Sequence, residues 1–165
     1  MSDKRISIAS LRLRQKSNWP SMYEATHPAV LRILRASDIF MGQTAQSLKH
    51  LQLSHAEFDA LATIRAQPAP YQISPTELCK TLLISSGGLT KLLYRLEAAG
   101  YITRPPSSED RRSLLVQLSP KGKEIIESLV GPTKTLHTER LRNLTSEEQQ
   151  QLDNLLDKVL ADYES

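Results

Sequence analysis

One cysteine in 165 residues, Cys79, leaves no partner for a disulfide within the chain and too few thiolates for a zinc cluster. There is one tryptophan, there are two phenylalanines, and no apolar run approaches the length of a membrane span. Internal repeats and low-complexity tracts are lacking as well. Hydrophobic residues make up 39% and charged residues 24%, near the average of a folded domain, which excludes a disordered or collagen-like chain. Residues 1–20 are basic but scatter their apolar side chains singly among Arg, Lys and Ser, without the continuous apolar core of a secretory signal. That places the mature protein in the cytoplasm. His27, His50, His55 and His137 show no metal-ligand spacing, and Gly87-Gly88 lacks the Gly-Lys-Ser/Thr of a phosphate loop. No nucleophile, base and orienter set is present. The expectation is a non-enzyme with no metal and no cofactor.

Net charge is only +3, but its distribution is uneven: +5 over residues 1–50, −1 over 51–73, +4 over 74–123 and −5 over 124–165. A basic middle favours a polyanionic partner, and the acidic end suits a helix with a solvated face.

From Pro28 to about Leu51 the apolar residues Val30, Ile33, Leu34, Phe40, Met41, Leu48 and Leu51 recur at helical spacing and predict one long helix. Ser54 and Glu57 form a capping-box spacing for a second helix, with Phe58, Leu61 and Ala62 inward, which must stop before Pro68. Ser74-Pro75-Thr76-Glu77 predicts a third start and a short helix through about Leu82. A further helix over 85–99 ends at Gly100 as its C-terminal cap. Two β-prone runs, Tyr101 to Arg104 and Leu114 to Leu118, flank a Pro- and Ser-rich loop and predict a hairpin wing. Pro120 opens another helix, with an interruption expected at Gly131-Pro132. A second capping box at Thr145 and Glu148 precedes a stripe of Leu152, Leu155, Leu156, Val159, Leu160 and Tyr163. So regular a terminal stripe suggests packing on another subunit. The fold class is mainly α with a small β wing: a winged helix-turn-helix over 54–119, between an N-terminal extension and dimerisation helix over 1–53 and dimerisation helices over 120–165.

On a helical wheel with Ser86 at zero, Leu89, Leu92, Leu93 and Leu96 fall at about 300°, 240°, 340° and 280°, one inward stripe. Gly87, Thr90, Lys91, Tyr94 and Arg95 occupy the opposite face. Hydroxyl, ammonium and guanidinium groups behind small glycines are what a helix needs to enter a DNA major groove. An ordinary amphipathic helix with a solvated face explains this face equally well. The wing shifts the balance, because Glu109-Asp110-Arg111-Arg112 puts two guanidiniums at a hairpin tip directly after a helix-turn-helix, where one can reach a minor groove.

The segment SPTELCKTLLISSGGLTKLLYRLEAAGYITRPPSSEDRRSLLVQLSPKGKEI closely resembles the winged-helix region of the MarR family of bacterial transcriptional regulators. Its marks, in order, are S-P-x-E-L, S-S-G-x-L-T, R-L-E-x-A-G-Y-I, D-R-R-S and L-x-L-S-x-x-G. The resemblance implies an obligate homodimer, two DNA-binding lobes on a pseudo-palindromic double-stranded operator, and repression of nearby genes relieved by a small aromatic or phenolic-type molecule. Carried over, it implies groove or phosphate contacts from Ser85, Ser86, Gly87, Thr90, Lys91 and Arg95. Arg112 matches the minor-groove arginine, Asp110 its orienting acid, and Arg111 a backbone contact. Ser74 and Thr76 open the preceding helix and could donate to phosphate, Ser74 also reading as a cap alone.

A narrower likeness is to the PecS-like, urate-responsive branch, through Trp19, Glu57 to Arg65 and Pro70-Tyr71. The chain departs from it at Leu92, where those proteins add an arginine, and Trp19 lacks an arginine neighbour. Trp19 and Asp59 are the ligand-facing candidates, with packing for Trp19 and an ion pair for Asp59, for instance with Arg95, as the plainer readings. Cys79 reads as a buried, inert thiol. An architectural or protein-interaction winged helix without ligand response is the alternative function.

Overall fold

Helix boundaries follow the capping chemistry of the sequence. In the computed structural model, which describes residues 5–82, 84–106 and 114–163, Ser54 Oγ accepts from the Glu57 amide while the Glu57 carboxylate accepts from the Ser54 amide, starting a helix at His55. Thr145 and Glu148 make the same reciprocal pair. Ser85 and Ser119 cap through Gly88 and Gly122.

Among the described residues the helices are α1 (Ile8–Asn18), α2 (Pro20–Ala25), α3 (Pro28–Leu48), α4 (His55–Arg65), α5 (Pro75–Leu82), α6 (Ser86–Ala98), α7 (Pro120–Ser128), α8 (Val130–Leu141) and α9 (Ser146–Leu160). A 3-10 turn, Lys49–Leu51, follows α3. The strands β1 (Gln72–Ile73), β2 (Ile102–Thr103) and β3 (Val116–Leu118) form an antiparallel sheet in the order β1-β3-β2.

The chain divides into two units, residues 1–46 and 47–165. In the first, Arg12 ties α1 to α2: its Nη1 donates to the Thr26 carbonyl at 2.7 Å, and its guanidinium lies 4.1 Å from the centre of the Tyr23 ring. In the second, Ala60, Leu61 and Ile64 of α4, Leu78 of α5 and Leu96 of α6 are wholly buried, joined by Ile73, Ile102 and Val116 of the sheet. Each such Leu, Ile or Val side chain contributes about 1.5–3 kcal/mol on leaving water. On β3, Val116 and Leu118 point inward and Gln117 between them is less buried, the alternation expected of a strand.

Two sequence expectations change. β1 was not anticipated: its two residues pair Gln72 with Gln117 and Ile73 with Val116, too short a run for any periodicity to show. The break expected at Gly131-Pro132 falls at Leu129, and Pro132 is the third residue of α8. A proline at 132 cannot donate to the Ser128 carbonyl and crowds it, so one continuous helix fails a turn earlier, whereas the first turn of a new helix needs no internal donor there.

Candidate nucleic-acid interface

Four leucines set α6 on the lobe. Leu89, Leu92, Leu93 and Leu96 are 5% exposed or less, so the opposite face must look outward. That face carries Ser86, Gly87, Thr90, Lys91, Tyr94 and Arg95, all exposed, with exposed Ser85 capping the helix and Thr90 Oγ1 donating to the Ser86 carbonyl at 3.0 Å. Tyr94 is 74% exposed, large for an aromatic ring. Gly100, at φ +75°, reverses the chain after α6, a left-handed conformation that glycine adopts without strain.

Ahead of α6, Ser74 Oγ accepts from the Glu77 amide at 3.2 Å, a cap, and Thr76 is exposed on the first turn of α5. Cys79 Sγ donates to the Ile84 carbonyl at 2.9 Å and is half-buried against the core rather than fully buried. After α6, β2 and β3 pair Ile102 with Leu118 and Thr103 with Gln117, and a bridge between Pro106 and Leu114 continues the same register outward. Asp110, Arg111 and Arg112 fall between those last two positions and lie outside the described residues.

Arg95 does not pair with Asp59. Its Nε donates to Glu57 Oε1 at 2.7 Å, and Asp59 instead meets His55 Nδ1 at 2.7 Å. Two residues apart on α4, Glu57 and Asp59 point about 200° apart, and only Glu57 faces α6. Burial alone pushes the Glu57 carboxyl up, but the Arg95 guanidinium and the Ser54 donors outweigh it and hold the group below its ordinary value. For Asp59 burial wins over His55, and its carboxyl is raised. A carboxyl lowered on folding stabilises above its unfolded pKa, and that contribution is lost as pH falls from about 4.5 through the folded value. Glu57→Gln is therefore expected to flatten the acid limb of a stability-against-pH curve below about pH 4.5, read by urea unfolding at a series of pH values. An acid limb as steep as wild type would contradict the pairing.

Trp19 links α1 to α2 in the first unit and is 57% exposed within the single chain. A feature not legible in the sequence is a cleft of about 740 Å³ between α4 and the α7-α8-α9 segment of the second unit. Phe58, Ile126, Leu129 and Leu141 line it with Arg65 and Glu127. Arg65 Nε donates to Glu127 Oε1 at 2.7 Å, and its guanidinium lies 4.5 Å from the centre of the Tyr71 ring. Asp59 is not among the lining residues. Among the described residues no group of three or more His, Cys, Asp or Glu side chains could hold a metal, and no helix is long and apolar enough to cross a membrane.

Two helices at a turn, the second exposing a polar face, followed by an antiparallel hairpin, define a winged helix-turn-helix protein. The chain belongs to the MarR family, whose pattern matches residues 51–113. It is 40% identical to the transcriptional regulator PecS of Dickeya dadantii over 66% of this chain and 65% of that relative. It is also 40% identical to the multiple antibiotic resistance protein MarR of Escherichia coli, over 68% of this chain and 77% of the relative. A cysteine-to-serine mutant of E. coli MarR in complex with operator DNA superposes with a TM-score of 0.70 at 34% identity, covering 81% of this chain and 94% of that one. The protein is a DNA-binding transcriptional regulator, a class without enzymatic activity.

Proposed function

We propose that this regulator acts as a homodimer on a pseudo-palindromic operator and represses adjacent genes until a small aromatic or phenolic-type molecule releases it. The observation that carries the DNA-binding part is the outward polar face of α6 opposite its buried leucines. Ser85, Ser86, Gly87, Thr90, Lys91 and Arg95 meet the major groove and its phosphates, and Arg112, oriented by Asp110 and flanked by Arg111, meets the minor groove. Ser74 and Thr76 face the phosphates of the same half-site. Two-fold symmetry supports half-sites about 10 base pairs apart. The uncovered stripe on α9, with Leu155 60% and Val159 56% exposed, supports the dimer. The cleft beside Arg65 supports ligand release, since an apolar floor with a few polar groups at its edge suits a small aromatic molecule.

The test is a salt titration of binding to operator and scrambled duplexes. Lys91→Ala is expected to weaken operator binding by about 1–3 kcal/mol, with normal melting. Arg112→Ala is expected to weaken binding to both duplexes and flatten the salt slope by about one phosphate equivalent, because the minor groove presents width and potential more than base identity. Unchanged affinity in both variants would remove α6 and the wing from the DNA. Equal affinity of the wild type for operator and scrambled DNA would favour the architectural reading, and added aromatic acids or phenols that never release operator would remove the ligand step.

A further inference from the structure

One buried carboxylate serves two helices. Glu57, 8% exposed, gives Oε2 to the Ser54 amide at 2.8 Å and to Ser54 Oγ at 2.7 Å, closing the N-terminus of α4. Its other oxygen, Oε1, takes Nε–H of Arg95 at 2.7 Å from the last turns of α6. The pair is asymmetric: the Glu57 side chain is 11% exposed and that of Arg95 55%. Anchoring α6 does not require this bond, because Leu92, Leu93 and Leu96 already hold the helix with 3% exposure or less. Capping α4 does not require it either, because Ser54 and Glu57 Oε2 complete the box between themselves. The bond uses one of five guanidinium N–H groups, and the other four belong to the terminal nitrogens of a mostly exposed side chain.

We infer that Glu57 is a positioning residue for DNA recognition: it orders the Arg95 guanidinium on the exposed face of α6 before DNA arrives. Arginine has high rotamer entropy, and a side chain already held at Nε loses less of it when its terminal nitrogens meet a phosphate. The inference rests on α6 being the groove helix. It adds that affinity depends on a residue that touches no DNA.

The experiment is a double-mutant cycle in operator binding with the full-length protein, using Glu57→Gln, Arg95→Ala and both together, with Lys91→Ala as the reference for α6 and thermal melting alongside. Glutamine can still accept from the Ser54 amide but no longer pairs as an anion with Arg95. Glu57→Gln is expected to weaken operator binding about fivefold, the ordering cost of one long side chain. Arg95→Ala is expected to weaken it roughly ten- to a hundredfold. The double variant should bind no more weakly than Arg95→Ala, because Glu57 then has nothing to position. Full multiplication of the two losses, no loss with Glu57→Gln, or tighter binding by it would each overturn the inference. Arg95→Lys keeps Glu57 and its cap intact, so it reports even if Glu57→Gln does not fold. It is expected to fall several-fold, because an ammonium lacks the Nε–H that sets the plane of the group, and wild-type affinity in this variant would also overturn the inference. If Lys91→Ala weakens binding while the Glu57 and Arg95 variants do not, the groove helix stands and only the positioning role falls. If none of them weakens binding, the groove reading falls with it.

Discussion

Replacing Gly122 by alanine should cost about 3 kcal/mol or more and lower the melting temperature by roughly 6–12 °C. A β-carbon built at 122 stands 2.0 Å from the Tyr101 carbonyl oxygen, 2.9 Å from its carbon and 3.0 Å from Leu118 Cδ1. The first two atoms are backbone and cannot rotate aside. Tyr101 is also committed on both sides: its amide donates to the Leu96 carbonyl at 2.9 Å, and its carbonyl accepts from the Ser119 amide at 3.0 Å. Moving it would open the end of α6 or the start of α7. Circular dichroism melting of Gly122→Ala beside Gly87→Ala, whose added carbon meets nothing within 4 Å, separates this clash from the general effect of losing a glycine. Equal melting temperatures for the two variants would show that the backbones approach less closely than described.

Leu155→Glu should abolish the dimer at micromolar concentration and weaken binding to a two-half-site operator by about a hundredfold or more. α9 buries none of its residues within the chain, and Leu152, Leu155, Val159 and Tyr163 are respectively 37%, 60%, 56% and 83% exposed along one stripe. In a two-fold interface each substitution occurs twice, so two carboxylates would enter an apolar contact without partners. Gln150→Glu, off the stripe, supplies the charge without the burial and should leave the dimer intact. Sedimentation of both variants decides the matter, and a stable Leu155→Glu dimer would place the subunit contact elsewhere.

Local signals were legible in the sequence and distant ones were not. Ser54 with Glu57, Ser74 before Pro75, and Gly100 after α6 each act within a turn of backbone, so residue type and spacing suffice to read them. The leucine stripe of α6 was readable for the same reason. Glu57 was read as half of a capping box, which it is. Its second partner lies 38 residues away, and no spacing rule connects them. The S-x-x-G motif around Gly122 was recognised as a family mark without its cause, because the clash is with Tyr101 of another segment. The cleft beside Arg65 could not be read at all. It forms only when α4 is brought against the α7-α8-α9 segment in the folded chain, and its side chains look like ordinary core and surface.

The seam between α6 and α7 has a mechanical consequence. Ser119 Oγ donates to the Gly100 carbonyl at 2.7 Å, and Lys121 Nζ donates to the Ala99 carbonyl at 2.8 Å with its ammonium 4.9 Å from the centre of the Tyr101 ring. The first turn of α7 is thereby tied to the end of α6, so that a rotation of one helix would be passed to the other. α6 has 13 residues, so it is a lever of about 20 Å, and a tilt of roughly 10° about its tied end swings the far tip by about 3.5 Å. That arc is about the rise of one base pair. Such a tilt would have to be taken up by the buried Leu89, Leu92 and Leu93, and it would be magnified most at Ser86 and Gly87, the residues proposed to meet DNA.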